Sequence, residues 1–266
     1  MRKWISLTLI LALAAMAGTA AAEPFRVGME CDYAPFNWTQ AGPSDTAVPI
    51  ESGGYADGYD VQIAVRVAEA LGRELVIVRT DWDGLPLALM SGAIDAIIAG
   101  MSPTAERALS IDFSDPYYES DLVLVVRKDS PYADAQSLAD FDSARITGQL
   151  GTFHYTVVDQ IPGVKMQTAM RSFPAMIVAL NAGAIDGYVS ERPGAVSAVA
   201  ANPGLTFVSF DEGQGFVASP EDVAVAVGLQ MGSDLREPIN AALAGIGRQE
   251  REQMMDDAVA RQPLSE

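Results

Sequence analysis

The chain has 266 residues, 49% of them apolar, and carries 35 acidic against 17 basic side chains for a formal charge of −18. That balance excludes nucleic-acid binding, which needs a basic face, and weighs against attachment to an anionic membrane surface. A single cysteine, Cys31, excludes an internal disulfide; with a single histidine, His154, it also excludes a His/Cys metal cluster, so neither metal nor other cofactor is expected.

At the start of the chain, Arg2 and Lys3 precede an apolar stretch over 4–17, and Ala20-Ala21-Ala22 offers a small-residue cleavage site before Glu23. This is the pattern of a secretory signal peptide, 1–22, and its apolar core is shorter than the ~20 residues of a membrane span. The mature chain is thus expected to be exported and soluble. Its roughly 240 residues are enough for two lobes whose cores supply the stability that disulfides do not.

Residues 25–29 read as a first strand, leading into an aromatic loop over 30–38. Residues 39–54, polar and rich in Gly, Pro and Ser, read as a surface insertion. Apolar residues at helical spacing (Val61, Ala64, Val65, Ala68, Leu71) predict a helix over 60–71 that stops at Gly72, and 75–78 is a β-branched buried strand. A short helix over 82–90 closes at Ser91-Gly92, and 94–99 is the next strand. Strands alternating with helices imply a parallel α/β sheet with ligands at the carboxyl ends of its strands.

A second series begins with an apolar strand over 122–126. It continues with a short helical piece at 138–141, a strand over 144–147, a glycine-bearing turn Gly148-Gln-Leu-Gly-Thr152 and a helix over 152–160. A helix over 173–181 and a strand over 185–189 follow, the latter running into Ser190-Glu191. The strand over 223–227 and helices over 233–246 and 249–259 complete the chain. Leu87-Ala-Leu-Met-Ser-Gly-Ala-Ile-Asp95 echoes Ile177-Val-Ala-Leu-Asn-Ala-Gly-Ala-Ile-Asp186, which suggests two α/β lobes built alike rather than a repeat array.

The main chemical signal is Ala99-Gly-Met-Ser-Pro-Thr-Ala-Glu-Arg107. A buried strand ending in this way gathers backbone N–H groups, a hydroxyl and a guanidinium around one point, which suits a small carboxylate. A capped turn, with Thr104 as N-cap and Arg107 in solvent, fits the same residues.

Tyr33-Ala-Pro-Phe36, Gly58-Tyr-Asp60, Ser91-Gly-Ala-Ile-Asp95, Met101-Ser-Pro-Thr-Ala-Glu-Arg107, Asp112-Phe-Ser-Asp-Pro-Tyr117 and Ala184-Ile-Asp186 stand in this order along the chain. Together they resemble the extracytoplasmic solute-binding proteins of polar amino-acid ABC importers, bacterial solute-binding family 3, over nearly all of the mature chain. The resemblance implies a two-lobed α/β fold of the type II periplasmic-binding class, with a two-strand hinge and a ligand cleft between lobes. The lobes would hold 23–119 plus 224–266, and 120–223.

By the same resemblance, Arg107 clamps a ligand α-carboxylate, with N–H groups from Ser102 and from the Gly151-Thr152-Phe153 turn. Gly100, beside Met101, would offer its carbonyl to the α-ammonium, and Glu191 would supply the anion, one methylene longer than the family's usual aspartate. Tyr33 and Trp82 match aromatic positions that sandwich the ligand side chain, and Glu30 matches a carboxylate for a distal amide or cation. Those three favour a basic or amide side chain. The residues also admit plainer roles: Glu191 could pair with neighbouring Arg192 at the surface, Glu30 and Trp82 could be scaffold, and His154 is expected to be structural or solvated. Trp38, Asp57 and Gln149 are weaker candidates for the lining.

The implied partners are a free amino acid and the ABC permease in the inner membrane, for a monomer working in the periplasm. The chain has no Glu-x-x-His pair, Gly-x-Ser-x-Gly elbow or Walker loop, which favours a binder over an enzyme. The alternative is a secreted dehydratase of the prephenate or cyclohexadienyl type on the same fold, with Glu30 or Glu191 as general acid.

Overall fold

The computed structural model describes residues 23–263, so the signal-peptide reading at 1–22 lies outside the described residues. Within them the echo between the two halves of the sequence is a repeated turn. Helices Leu85–Met90 and Phe173–Asn181 are each followed by a glycine with positive φ, Gly92 at 75° and Gly183 at 71°, a conformation that is costly for residues with a Cβ.

The aspartate that follows turns back onto the first parallel strand of its own sheet. Asp95 accepts from the backbone N–H of Arg26 at 2.9 Å and from the Arg73 guanidinium at 2.8 Å. Asp186 accepts from the backbone N–H of Arg145 at 2.9 Å and from its guanidinium at 2.7 Å. Each aspartate returns its own N–H to the carbonyl of Arg26 or Arg145, at 2.8 Å in both halves. The Ile-Asp pairs are therefore clamps that fix strand register. Neither helix carries a charged residue, and their outward residues Leu87 and Val178, at matching positions, are 67% and 68% exposed.

Two five-stranded sheets result. In the first, Leu75–Arg79, Phe25–Met29 and Ala96–Ile97 run parallel, and Ala224–Leu229 then pairs antiparallel with both Ala96–Ile97 and Asp112–Glu119. In the second, Lys165–Met166, Arg145–Thr147 and Gly187–Glu191 run parallel, followed by antiparallel Leu122–Arg127 and Leu205–Val208. The chain passes from one sheet to the other after Glu119 and returns at Ala224. These two crossings lie side by side, with Ala224 paired to Glu119 and the Ser120 N–H on the Val223 carbonyl at 3.1 Å.

Apolar faces explain the packing. Tyr59–Leu71 buries Tyr59, Val61, Ile63, Ala64, Val67 and Ala68 against the first sheet, one helical stripe of the sort read from the sequence. A separate cluster around Leu124, Val126, Phe141, Ile146, Val158 and Val189 fills one face of the second sheet. Cys31 is a buried part of the core, and burial pushes its thiol up to about 12.

Several sequence expectations change. Residues 39–54 are not a bare insertion: Asp32–Tyr33, Asn37–Gln40, Tyr55–Asp57 and Val48–Pro49 form a four-stranded arm. The buried Asp57 carboxylate organises it, taking Thr46 Oγ1 at 2.6 Å and the Gly58 N–H at 2.7 Å, and Ile50 bridges to Ile77 on the first sheet. Strand 94–99 contracts to Ala96–Ile97, and helix 152–160 divides into an α-helical turn Phe153–Thr156 and a 3-10 turn Val157–Gln160. Helix 82–90 likewise opens with a 3-10 turn, Trp82–Gly84. Strands Asp112–Glu119 and Leu205–Val208 and helix Arg192–Ala201 have no clear periodic signal; Pro116 interrupts the first, whereas Pro193 sits in the opening turn of the helix, where it is tolerated.

Candidate functional site

Between the two sheets lies a cavity lined by Tyr33 of the arm and by Trp82, Gly100, Ser102 and Arg107 on the side of the first sheet, and by Gln149, Thr152, Phe153 and His154 on the side of the second. Gly100 follows strand Ala96–Ile97 with φ of 65°, and a Cβ there would come within 3.0 Å of the Tyr33 ring. The chain then bends past Met101, whose carbonyl accepts from Ala226 N–H at 3.0 Å on the returning strand. Ser102 is buried, and the short turn Arg107–Leu109 brings the guanidinium back over it.

Arg107 donates from Nη1 to the Ser102 carbonyl at 2.8 Å and from Nη2 to the Gly151 carbonyl at 3.1 Å. Its guanidinium lies 5.1 Å from the centre of the Trp82 ring, in cation–π contact. Desolvation lowers its pKa to about 10, so it remains a cation at neutral pH. The capped-turn reading holds for the backbone, where Thr104 Oγ1 accepts from the Arg107 N–H at 3.4 Å, while the half-buried guanidinium turns to the cavity rather than fully into solvent. Trp82 also reaches the opposite sheet, with Nε1 3.4 Å from the Gly151 carbonyl.

On the facing side, Thr152 donates its hydroxyl to the Gln149 carbonyl at 2.7 Å, which tightens the turn before Phe153–Thr156. Glu191 ends strand Gly187–Glu191, is 3% exposed, and lies behind Tyr33 and His154. Its Oε2 accepts from the Tyr33 hydroxyl at 2.9 Å, and its Oε1 is 3.2 Å from His154 Nε2. Arg192 turns away to Asp121, at 2.8 Å, so it does not neutralise Glu191. Tyr33 stacks on Phe173, with ring centres 4.1 Å apart, and on Phe36. Packing thus holds the Tyr33 ring that the family pattern assigns to a ligand wall.

Glu30 follows strand Phe25–Met29 and is also buried, with both carboxylate oxygens 3.1 Å from Gln149 Nε2. Burial first, and then the nearby charge of Asp32, push its pKa up to about 8. A pocket adjoining the cavity through Trp82 is lined by Glu30, Asp32, Asp81 and Asp83, with Arg171, Ser172 and Leu150 opposite. Met101 and Gly151 stand at a wider mouth near Arg107.

Phe173 carries no site signal in the sequence, and the acidic rim carries one only in Asp81 and Asp83, which flank Trp82. Gln149 does line the cavity, and His154 is buried as a structural histidine would be, with its ring on the cavity wall. That placement of His154 gave no signal, because its neighbours across the cavity are remote in sequence. Asp57 belongs to the arm, and Trp38 is buried there on the strand paired to it. Among the described residues no cluster of His, Cys, Asp and Glu could hold a metal, and no helix is long and apolar enough to cross a membrane.

The model of the bacterial extracellular solute-binding proteins, family 3, matches residues 25–256. A Campylobacter jejuni protein named as a probable histidine-binding protein is 33% identical over 72% of this chain and 70% of its own length. The arginine-binding extracellular protein ArtP of Bacillus subtilis is 29% identical over 82% of this chain and 78% of its own length. Among solved structures, an amino-acid ABC transporter substrate-binding protein of Streptococcus pneumoniae, bound to L-arginine, superposes with a TM-score of 0.76. It is 27% identical, over 89% of this chain and 94% of that one. Structural neighbours of this kind share the two-lobed periplasmic-binding fold, and they are binding proteins rather than enzymes. With the family model spanning most of its length, the chain belongs to family 3 of the bacterial extracellular solute-binding proteins.

Proposed function

We propose that the protein captures a cationic amino acid, arginine or a close relative such as lysine, between its lobes and delivers it to an ABC permease. The observation that carries this reading is a half-buried cation and a buried anion on opposite sides of one cavity with an acidic extension: Arg107 lines the cavity, and Glu191 stands directly behind its Tyr33 and His154 wall. Arg107 clamps the α-carboxylate, with backbone N–H groups of Ser102 and of the Gly151-Thr152-Phe153 turn as further donors. Glu191, beside the cavity wall, takes the α-ammonium together with the Gly100 carbonyl. Trp82 and Tyr33 flank the side chain, Met101 closes the mouth, and Glu30 with its acidic neighbours receives the distal cation.

Because these groups come from both sheets, ligand binds the approached lobes better than the parted ones, and that difference alone drives closure. The lobes are assigned as 23–119 plus 224–266, and 120–223, hinged where Glu119 meets Ala224. The working form is a monomer in the periplasm, exported by the segment 1–22, with the permease in the inner membrane. The names of the relatives, histidine- and arginine-binding, support a polar ligand with a basic side chain.

Calorimetry with arginine, lysine, histidine, glutamine and glutamate tests the reading, beside mass spectrometry of any small molecule that co-purifies. Tight binding of arginine or lysine with none of glutamate is expected; tight binding confined to acidic or aliphatic amino acids would overturn it.

A further inference from the structure

We infer that His154 is a positioning residue that withholds or releases the Glu191 carboxylate according to its own charge, and so makes capture weaker in acid. The inference rests on Glu191 as the acceptor of the ligand ammonium. His154 is the only histidine of the chain. It is 5% exposed, lines the cavity, and places Nε2 3.2 Å from Glu191 Oε1. That approach is close enough for an ion pair but not aligned as a hydrogen bond, and among the described residues neither ring nitrogen has a hydrogen-bond partner. Its ring neighbours, Phe153 at 5.3 Å and Phe173 at 6.1 Å, supply packing and no polar partner.

The charged and titratable groups around this pair come from several elements. Tyr33 holds the other oxygen of Glu191, and Arg107, Asp60 and Tyr118 interact with Glu191 through their charges. Tyr188, on the same strand as Glu191, presents a buried hydroxyl without a hydrogen-bond partner among the described residues and acts on Tyr33. None of these is a fixed cation that already pairs with Glu191. Imidazole is the side chain whose charge changes most readily between pH 5 and 8. As imidazolium it pairs with Oε1, so an incoming ammonium meets a neutralised carboxylate and a like charge. As neutral imidazole it leaves the carboxylate anionic and free to turn toward the ammonium.

L-Arginine is a suitable probe, since its guanidinium and carboxylate keep their charges between pH 5 and 8, and any loss of its ammonium proton toward pH 8 is common to all variants and divides out of their ratio. Its Kd is measured by calorimetry across that range for the tag-free protein from residue 23, for His154→Gln and for Glu191→Gln. The proton on Glu30 is common to the wild type and His154→Gln, and divides out of their ratio. From pH 5 to pH 8 the ratio of wild-type to His154→Gln Kd is expected to fall by well over twofold, as one proton no longer competes. A ratio constant within about twofold would overturn the inference and leave the ligand site standing. Glu191→Gln that binds as tightly as wild type would instead overturn the ammonium assignment, and the role of His154 with it.

If His154→Gln fails to fold, the lone imidazole gives a second readout in the wild-type protein. Its proton and carbon resonances report a single titration curve, which arginine should displace to lower pH by reciprocal linkage. An undisplaced curve overturns the inference.

Discussion

The two edges of the cleft grow from one scaffold and end in opposite chemistry. On each side an uncharged helix stops at a positive-φ glycine, an aspartate clamps the first strand, and a parallel strand runs toward the cleft. On the first edge that strand is short, and the backbone at Gly100 and Met101 bends away to bring back Arg107. On the second edge the strand runs on for three more residues and delivers Glu191 directly. The shared part sets position and the diverging part sets charge. A zwitterion is the ligand class that such a pair recognises, since its two ends need opposite partners.

The comparison breaks first at its charged ends. Arg107→Ala should weaken arginine binding by roughly 30-fold to several-thousand-fold, the 2–5 kcal/mol lost when one partner of a buried charge pair is removed. Unchanged affinity with the fold intact would remove the first edge from the site. Glu191→Gln should cost about ten- to a hundredfold, in line with one charged hydrogen bond. A loss confined to arginine, with glutamine unaffected, would show that Glu191 reads the side chain instead of the backbone end.

Glu30→Gln asks whether the acidic extension matters: about a tenfold loss for arginine is expected, with little change for glutamine. The clamps sharpen the comparison from the other direction. Asp95→Asn and Asp186→Asn should each lower Tm by a few degrees, about what 1 kcal/mol does in a protein of this size, and leave arginine affinity intact. Unequal effects on Tm would mean that the matched hydrogen bonds do not carry matched stability.

The last effect is on pH. Glu30 and Asp60, raised by burial to about 8 and about 7, keep protons in the folded state that the unfolded chain gives up near pH 4. Folding therefore binds protons between these limits, and stability is fullest near pH 4 and falls as pH rises toward 8. Thermal unfolding of the ligand-free protein should show Tm falling steadily from pH 5 to 8, with a shallower slope in Glu30→Gln.

How much of this could be read in the sequence differs between scaffold and site. The helix over 60–71 and the paired Ile-Asp turns were legible because they follow local periodicity and glycine geometry. Arg107 was legible because its partner Ser102 is five residues away. The Tyr33–Glu191 and Glu30–Gln149 contacts join residues more than a hundred positions apart, and no local pattern announces them. The His154–Glu191 approach joins separate elements and is equally silent in the sequence. The arm over 32–57 was obscured by its polar composition, since Asp57 holds it together rather than an apolar stripe.

The matched helices also make the molecule an instrument for watching itself. Leu87 and Val178 stand exposed at equivalent positions, one beside each five-stranded sheet, and Cys31 is buried with its thiol pushed up by burial. Cysteines introduced at 87 and 178 would therefore take a pair of fluorescent dyes without competition, and energy transfer between them would test whether the proposed lobes approach when arginine binds.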